Sequence, residues 1–294
     1  MHKSFQIAAH EIAAEPIEPA LYLVATPIGN LSDITLRALT VITSADVLAC
    51  EDTRVTRTLL ERYAIKQRPV SYHEHNAARS GPKLLAALAE GRSVALISDA
   101  GTPLISDPGY RLVEQALAQG AKIVPVPGPS AVMAALVASG LPSDSFLFAG
   151  FLPVKEKARH DRLSELKHVA STLLFFESPR RLATSLAAAV DVLGPERPAA
   201  ICRELTKVFE DVRRESLAAL AAHYGAAETV KGEIVLIIGP PVETKADIAD
   251  ADALLRDLMR ALPPAKAATE AARQTGLSRK LLYARLLSMK DGAQ

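Results

Sequence analysis

Short apolar segments recur along the chain, and most of them show no alternation of hydrophobic and polar positions. They are LYLVA (21–25), ADVLA (45–49), VALIS (94–98), KIVPV (122–126), FLFAG (146–150), TLLFF (172–176), PAAIC (198–202) and EIVLII (233–238). Apolar runs of this length are typical of strands that are covered by helices on both faces. The pattern therefore predicts an α/β protein.

Segments of helical character lie between these predicted strands. They cover residues 33–44, 53–63, 77–90, 107–119, 129–139, 156–168 and 179–193. Gly91, Gly120 and Gly194 follow three of them, at the position where a glycine commonly ends a helix. The prolines at 127–129 and the GLPSD turn at 140–144 indicate a domain boundary near residue 140.

The two ends of the chain differ from this α/β pattern. After residue 243 no strand is predicted, and the stretch 265–290 predicts a helix, a tight turn at Gly276 and a second helix with Ser278 as its N-cap, as in a helix-turn-helix. The first residues carry several glutamates and predict a disordered tail or leader. The expected division is a tail (1–19), an N-terminal α/β domain (20–139), a second α/β domain (140–242) and a helical appendage (246–294).

The composition narrows the class of protein. With 294 residues, of which 49% are apolar, the chain has enough hydrophobic material for two compact cores. Cys50 and Cys202 lie in separate apolar runs, which excludes a disulfide framework and favours the cytoplasm. No apolar run reaches the roughly 18 residues that cross a bilayer. Because the net charge is only +1, any surface for nucleic acid must be a local basic patch.

Most of the predicted strands end in a turn rich in glycine, proline and small polar or charged residues. These turns are TPIGN (26–30), CEDTR (50–54), SDAGTP (98–103), PGPSA (127–131), ESPRR (177–181) and CRELTK (202–207). The carboxyl ends of strands form the ligand crevice of open α/β sheets. Glycines there let the backbone approach a ligand, and prolines hold the turns rigid, which suits an adenosine-like molecule. Any one turn is also explained as an ordinary βα connection.

Several common motifs are missing from the sequence. It has no GxGxxG after the first strand, no GxxxxGK[ST], no HExxH and no GxSxG, so a Rossmann dehydrogenase, a P-loop NTPase, a zinc protease and an α/β-hydrolase are disfavoured. The triplet His73, Glu74 and His75 has no further ligands at a recognisable spacing. We therefore interpret it as a loop or a substrate contact, and we predict no metal.

Seven segments occur in an order that resembles one enzyme family. They are LYLVATPIGNLSDITLRAL, ACEDTR, ISDAGTPLISDPG, VPVPGPSA, FFESPRRL, RELTKVFE and KGEIVLIIG. Over about residues 20–290 the chain is similar to the tetrapyrrole-methylase-like (class III) methyltransferases. Within them it is most similar to the bacterial 16S ribosomal RNA (cytidine 2′-O) methyltransferase I family.

The resemblance implies a homodimer of two-domain chains that bind S-adenosylmethionine between the domains and carry a helical appendage. It implies ribose 2′-O-methylation of a cytidine in the decoding region of the small ribosomal subunit. The residues that it assigns to the cofactor are Pro27, Gly29, Asp99, Ala100, Gly101, Thr102, Pro103, Ser106, Asp107, Gly128, Pro129, Ser130 and Ala131.

The sequence departs from the tetrapyrrole enzymes in its cofactor loop, where Thr102 replaces the aspartate of their GGDP motif. Together with CEDTR and ESPRR, this change disfavours a porphyrin substrate. Two alternatives remain: a methyltransferase of the same fold that acts on a tetrapyrrole or another small molecule, and a non-catalytic RNA-binding protein. The first gives no reason for the basic helix-turn-helix, and the second leaves the cofactor turns unexplained.

Methylation of a ribose hydroxyl needs alignment of the acceptor oxygen and a base that removes its proton. Carboxylates and a lysine at the predicted strand ends are candidates for the base, and arginines there are candidates for phosphate contacts. The candidate catalytic residues are Glu51, Asp52, Arg54, Glu177, Arg180, Glu204 and Lys207. On the appendage, Arg279, Lys280 and Arg285 predict an RNA surface, with a helical cap bearing a solvated basic face as the alternative.

Overall fold

The structure, a computed structural model, describes residues 3–106, 109–227, 230–241 and 245–291. Within these ranges the strands β1 to β12 are Ser4–Ile7, His10–Ala13, Leu21–Val24, Val47–Cys50, Val70–Ser71, Val94–Ile97, Ile123–Val126, Phe146–Phe151, Thr172–Glu177, Pro198–Arg203, Asp211–Ser216 and Ile234–Ile238. The helices α1 to α11 are Leu36–Ser44, Thr53–Arg62, Ala77–Ala89, Tyr110–Ala118, Ala131–Ser139, Glu156–Leu166, Leu182–Leu193, Leu217–Gly225, Lys245–Leu258, Pro264–Thr275 and Arg279–Asp291.

The predicted α/β architecture is confirmed, and each apolar run of the sequence is a strand. The first sheet has the order β5-β4-β6-β3-β7, and all its strands are parallel. Helices cover both faces: Leu39 and Ile42 of α1 pack on one face, and Leu84 of α3 and Leu112 of α4 pack on the other. Burial on both faces explains why these strands are apolar without alternation.

The second sheet has the order β11-β10-β12-β9-β8, and only β8 and β9 are parallel. β12 is antiparallel to both of its neighbours, so Ile234 at its start lies opposite Glu177 and Arg203, which end β9 and β10. The beginning of one strand and the ends of two others therefore share one edge of the sheet. β11 (DVRRES) was not predicted because it is a charged strand at the edge of the sheet.

Helix α5 connects the two sheets in packing as well as in sequence. Its residues Val132, Ala135 and Leu136 form one core cluster with residues of β10 and β12 such as Ala200 and Ile237. We assigned residues up to 139 to the N-terminal domain, but the apolar side of α5 is buried against the second sheet. The predicted boundary near residue 140 therefore falls after a helix that already belongs to the second core.

The prediction of a disordered tail at 1–19 is wrong for the residues from 3 onwards. β1 and β2 form an antiparallel hairpin, and Phe5 is buried in the core beside α1, with only 2% of its surface exposed. The amide of Gln6 donates to the carbonyl oxygen of Tyr63 at 2.8 Å. The glutamates suggested disorder, whereas Glu11 pairs with Ser4 on the exposed side of the hairpin.

The last three helices form a small unit with its own core. Ala251 and Leu255 of α9, Ala271 of α10 and Leu282 and Leu286 of α11 are buried together. The predicted helix-turn-helix is confirmed: the turn residue Gly276 has a φ of +74°, and the amide of Leu281 donates to Ser278 Oγ at 3.2 Å. No helix in the described part of the chain is long and apolar enough to cross a membrane.

Candidate active site

A cavity of about 400 Å³ lies between the two sheets, and we call it the inter-sheet cavity. The first sheet contributes the loop after β6, from Ala100 to Ser106, and α5 contributes its first turn. The second sheet contributes the ends of β9 and β10 and the start of β12. Its walls are mainly apolar, with Phe151, Phe176 and Val235 among them. Such a concave, mostly apolar site with a few polar groups is typical of small-molecule binding.

One wall of the inter-sheet cavity, which we call its floor, is the turn at Gly101 and Thr102, and hydrogen bonds to neighbouring main chain fix this turn. Thr26, after β3, and Gly101, after β6, form an antiparallel bridge in which each amide donates to the other carbonyl oxygen at 2.9 Å. Thr26 Oγ1 donates to the carbonyl oxygen of Ser98 at 2.9 Å, and Thr102 Oγ1 donates to that of Pro129 at 3.2 Å. The ends of three parallel strands are thereby fixed to one another.

Six of the predicted cofactor residues line this cavity: Ala100, Gly101, Thr102, Ser106, Ser130 and Ala131. Gly101 has a φ of +81°, and a Cβ there would lie 3.4 Å from Ile28 Cγ2, another lining residue. Gly128 has a different role, because its Cβ would lie 3.1 Å from Ala25 Cβ, behind the cavity wall. Pro103 and Pro129 belong to the supporting turns.

The remaining cofactor predictions fall elsewhere. Pro27 and Gly29 are not among the lining residues; Gly29 packs against the 204–207 loop, where a Cβ would lie only 2.4 Å from Lys207 Cγ. Asp99 lines a neighbouring cavity, described below. Asp107 lies outside the described residues.

The contribution of β12 to the site was not predicted from the sequence. Gly232, Glu233, Ile234 and Val235 line the inter-sheet cavity, although we assigned no site residue to that segment. The rule that ligands bind at the carboxyl ends of strands fails for β12, because an antiparallel strand brings its amino end to the same edge. Gly232 and Glu233, which come just before the apolar run of β12, were the sequence signal that could have indicated site residues there.

A second, polar cavity of about 860 Å³ opens beside the first, at the carboxyl ends of β4, β5 and β6. We call it the polar cavity. Its lining includes residues of the CEDTR turn and of the HEH triplet, and Ser106 lines both cavities. Its charged and imidazole side chains are Glu51, Asp52, Arg54, His73, Glu74, His75, Asp99 and Arg111.

The carboxylates of the polar cavity differ in their electrostatics. Asp52 is the N-cap of α2, and its carboxylate accepts hydrogen bonds from the side chain of Arg54 at 2.6 Å and from the amide of Arg54 at 2.8 Å. These bonds lower the pKa of Asp52 to about 2. Partial burial raises the pKa of Asp99, although Asp99 Oδ1 accepts from the amide of Asp52 at 2.9 Å. Asp99 is therefore the better proton acceptor.

The side chain of Glu177, at the end of β9, belongs to a network of hydrogen bonds that stabilises the fold. Its side chain is buried and accepts hydrogen bonds from Ser185 Oγ at 2.5 Å and from the amide of Ser178 at 2.7 Å. Arg181 Nε lies 3.3 Å from Glu177 Oε1, and the same guanidinium donates to the carbonyl oxygen of Leu152. This network fixes the end of β9 against α7. Arg180 is exposed, and no ion pair involves it among the described residues.

Glu204 and Lys207 form a third cluster, on the loop after β10. Lys207 Nζ lies 2.7 Å from Glu204 Oε1 and 2.8 Å from Glu233 Oε2. Partial burial acts to lower the pKa of Lys207, but the hydrogen bonds to Glu204 and Glu233 raise it above its ordinary value. The ammonium hydrogen bond of Lys207 chiefly lowers the pKa of Glu204. Lys207 is thus held as a cation, which argues against its predicted role as a base.

The HEH triplet contributes to the polar cavity without forming a cluster. The rings of His73 and His75 have centroids 6.0 Å apart, and His73 Nδ1 is buried without a hydrogen-bond partner. No group of three or more histidine, cysteine, aspartate or glutamate side chains in the described ranges could hold a metal ion. The triplet therefore stands as part of the cavity wall.

The basic residues of the helical appendage differ in their environment. The Arg285 guanidinium binds the Asp252 carboxylate, with Nε 2.6 Å from Oδ1, and joins α11 to α9. Arg279 and Lys280 are exposed at the start of α11, and neither belongs to an ion pair in the part of the chain that the structure describes. Arg285 thus has a structural partner, and the other two remain candidates for RNA contact.

Two family models match the chain. The model of the tetrapyrrole (corrin/porphyrin) methylases matches residues 20–221, and that of the RsmI C-terminal HTH domain matches residues 245–290. Among solved structures, the uroporphyrin-III-C-methyltransferase from Thermus thermophilus has a TM-score of 0.54 at 23% identity and covers 75% of this chain and 94% of its own. Diphthine synthase has a TM-score of 0.58 at 15% identity, covering 74% and 89%. These similarities show the fold.

Curated relatives are much more similar in sequence. The ribosomal RNA small subunit methyltransferase I of Mesorhizobium japonicum is 64% identical over 282 residues, which is 96% of either chain. The proteins of the same name from Erythrobacter litoralis and Vibrio cholerae are 50% and 48% identical, over 96% and 90% of this chain and 99% and 93% of their own. The chain therefore belongs to the tetrapyrrole methylase family and, within it, to the ribosomal RNA small subunit methyltransferase I family.

Proposed function

We propose that this protein transfers a methyl group from S-adenosylmethionine to the 2′-oxygen of a cytidine ribose in the decoding region of 16S ribosomal RNA. The observation that carries the proposal is the junction of two unlike cavities at Ser106. A mainly apolar cavity suits the donor, and a charged cavity beside it suits a nucleotide. The names of the relatives support small-subunit ribosomal RNA as the substrate.

The residues of the inter-sheet cavity fit S-adenosylmethionine, the methyl donor of this fold family. Its volume of about 400 Å³ lies within the roughly 300–1,000 Å³ of ligand sites. The left-handed backbone of Gly101 leaves open the space that a side chain would fill. The amides of Ala100 and Gly101 already donate to Ser98 and Thr26, so their carbonyl oxygens, which can accept a second hydrogen bond, and the hydroxyl of Ser130 would hold the donor. It supplies a methyl group that is activated by a positively charged sulfur.

The residues of the polar cavity would orient the acceptor and take its proton. A ribose hydroxyl becomes a good nucleophile only when a base accepts its proton. We assign the base to Asp99, because it immediately precedes the donor loop and partial burial raises its pKa. Asp52 is a weaker base because Arg54 lowers its pKa to about 2. Glu177 and Glu204 are engaged in the networks described above.

Ribose-methylation mapping of 16S RNA tests this function. Cells that lack the gene should lose one 2′-O-methylated cytidine in the decoding region, and the intact gene should restore it. Purified protein should methylate 30S subunits from the deletion strain and leave precorrin-type acceptors unchanged. Methylation of a base, or of a tetrapyrrole with no change in ribosomal RNA, would contradict the proposal.

We also propose that the protein is a cytoplasmic homodimer. Its ribosomal substrate supports the location. The edge strand β8 supports the dimer, because Phe146 and Leu147 are exposed along it. Light scattering over a range of concentrations should give twice the chain mass of 31.3 kDa. A single-chain mass at all concentrations would refute the dimer without affecting the proposed reaction.

A further inference from the structure

A groove of about 610 Å³ lies between α2 and the segment that leads to β5. Three of its lining residues are basic, namely Arg57, Lys66 and Arg68, and Glu61 is the one carboxylate among them. We call this set the basic groove. The cations are exposed at its surface.

The basic groove adjoins the polar cavity, which in turn adjoins the inter-sheet cavity. Thr53, at the start of α2, lines both the groove and the polar cavity, just as Ser106 lines both the polar and the inter-sheet cavities. Asp52 and Arg54 flank Thr53 and belong to the wall of the polar cavity. A chain that enters the polar cavity with one unit therefore has a direct path into the groove with the next.

The charge of this region stands out against the rest of the chain. Residues 53–68 contain five basic side chains and one acidic one, although the whole chain has a net charge of only +1. Arg54 is neutralised by Asp52 at 2.6 Å. In the described part of the chain, no carboxylate lies within ion-pair distance of Arg57, Lys66 or Arg68. Among the described residues, no ion pair therefore offsets the attraction of these three cations for an anion.

We propose that the basic groove binds the phosphate backbone of the RNA strand immediately beside the nucleotide that is methylated. This inference rests on the proposed function, because it needs RNA in the polar cavity. Arginine matches phosphate oxygens with two parallel hydrogen bonds, and unpaired cations on one strip bind successive phosphates. The groove adds a contact surface for the strand that is separate from the helical appendage.

A double variant tests the groove in the full-length protein. Arg57→Ala with Arg68→Ala removes two of its charges, and Arg57→Lys with Arg68→Lys keeps them. The matched control is Arg92→Ala with Lys122→Ala: these two exposed cations precede β6 and β7 and line neither the groove nor the two cavities. The measurement is binding to 30S subunits from the deletion strain at several salt concentrations. Calorimetry measures the affinity of each variant for S-adenosylmethionine.

The alanine variant should bind subunits about tenfold more weakly, and its salt slope should fall by about 0.7 for each lost phosphate contact on a single strand. The KM for subunits should rise while kcat and donor affinity stay within about twofold. The lysine variant should recover most of the salt slope, and the control variant should match the wild type.

Unchanged affinity and salt slope in the alanine variant would overturn the proposal. Loss of donor affinity that lysine does not restore would also overturn it, since the arginines would then be structural. A different result would contradict the proposed function: the wild-type protein itself would then leave the ribose of 16S RNA unmethylated. If the wild type methylates ribose and the alanine variant binds normally, only the groove assignment is wrong.

Discussion

Two residues with side chains adopt left-handed backbone conformations at the junction of the two cavities. Leu104 has a φ of +73° and Ser106 a φ of +64°, in a region that favours glycine. Non-glycine residues in this region store strain that the surrounding structure must offset. Leu104 is held by packing in the first core, and Ser106 faces both cavities. The packing of Leu104 thus offsets part of the backbone strain in this loop.

Gly101 provides a direct test of the donor site. Gly101→Val should lower the affinity for S-adenosylmethionine at least tenfold, because the new side chain points at Ile28 and narrows the cavity. It should also destabilise the fold by about 1–2 kcal/mol, the usual cost of a left-handed residue. Calorimetry on the folded variant gives the affinity, and thermal unfolding gives the stability.

Gly120→Val is the matched control for that substitution. Gly120 has nearly the same φ, +78°, and a Cβ there would meet no atom within 4 Å. It should lose similar stability and keep full donor affinity. Equal affinities for the two variants would show that the Gly101 loop does not contact the donor.

Asp99 should control the pH dependence of the reaction. Asp99→Asn should lower kcat by roughly 10²- to 10⁴-fold, the range expected for a general base, while donor affinity stays within about twofold. In the wild type the rate should fall as the pH drops through the raised pKa of Asp99, since only the deprotonated form accepts a proton.

Asp52→Asn gives an independent check on this base. The negative charge of Asp52 contributes to the raised pKa of Asp99, and asparagine preserves the N-cap of α2. The acid limb of the rate profile should therefore move to lower pH. If the acid limb of the pH–rate profile does not move in Asp52→Asn, and if Asp99→Asn turns over normally, the base is a residue other than Asp99.

The sequence predicted the loop that lines the inter-sheet cavity better than the residues around it. Turn chemistry at Ala100, Gly101 and Ser130 indicated a ligand because glycine and small residues leave space there. It could not distinguish Gly29, whose missing side chain makes room for Lys207. It also grouped Glu204 and Lys207 as candidate bases, since their mutual hydrogen bond depends on a loop conformation that no local pattern encodes.

At the scale of elements, the apolar runs predicted which segments are strands and left their directions open. β9 and β12 are both apolar, yet β9 ends at the cleft and β12 begins there. The direction of β12 follows from its place between β9 and β10, which is a property of the whole sheet. The charged β11 and the N-terminal hairpin lack a continuous apolar run.

The N-terminal hairpin should contribute measurably to stability. Phe5→Ala should lower the free energy of unfolding by about 3–5 kcal/mol, because Phe5 is buried in the first core. Ile12, its cross-strand partner in β2, is 36% exposed, and Ile12→Ala should cost less than about 1 kcal/mol. Denaturant unfolding compares the two. Equal small effects would mean that the hairpin is dispensable for the fold.

At the scale of the whole molecule, the helical appendage should serve RNA binding and leave donor binding unaffected. Removing residues 246–294 should keep the affinity for S-adenosylmethionine and weaken binding to 30S subunits. Arg279→Ala with Lys280→Ala should flatten the salt dependence of that binding. Filter binding at several salt concentrations gives the affinity for 30S subunits and the salt dependence of that affinity. Calorimetry gives the affinity for S-adenosylmethionine.

Arg285 serves as the structural control for the appendage. Its ion pair with the largely buried Asp252 carboxylate joins two helices of the unit, so Arg285→Ala should reduce the helical stability of the appendage. Arg279→Ala with Lys280→Ala should leave that stability unchanged. Loss of donor binding or of dimers on truncation, together with normal subunit binding by the double variant, would make the appendage a structural cap.

The bridge between Thr26 and Gly101 also bears on how such an enzyme diverges. Its two hydrogen bonds join backbone groups only, so most substitutions that preserve the local conformation leave this floor in place. The charged side chains of the polar cavity, by contrast, change its chemistry with a single replacement. Related enzymes can therefore keep the main-chain floor of the inter-sheet cavity while the side chains of the polar cavity change.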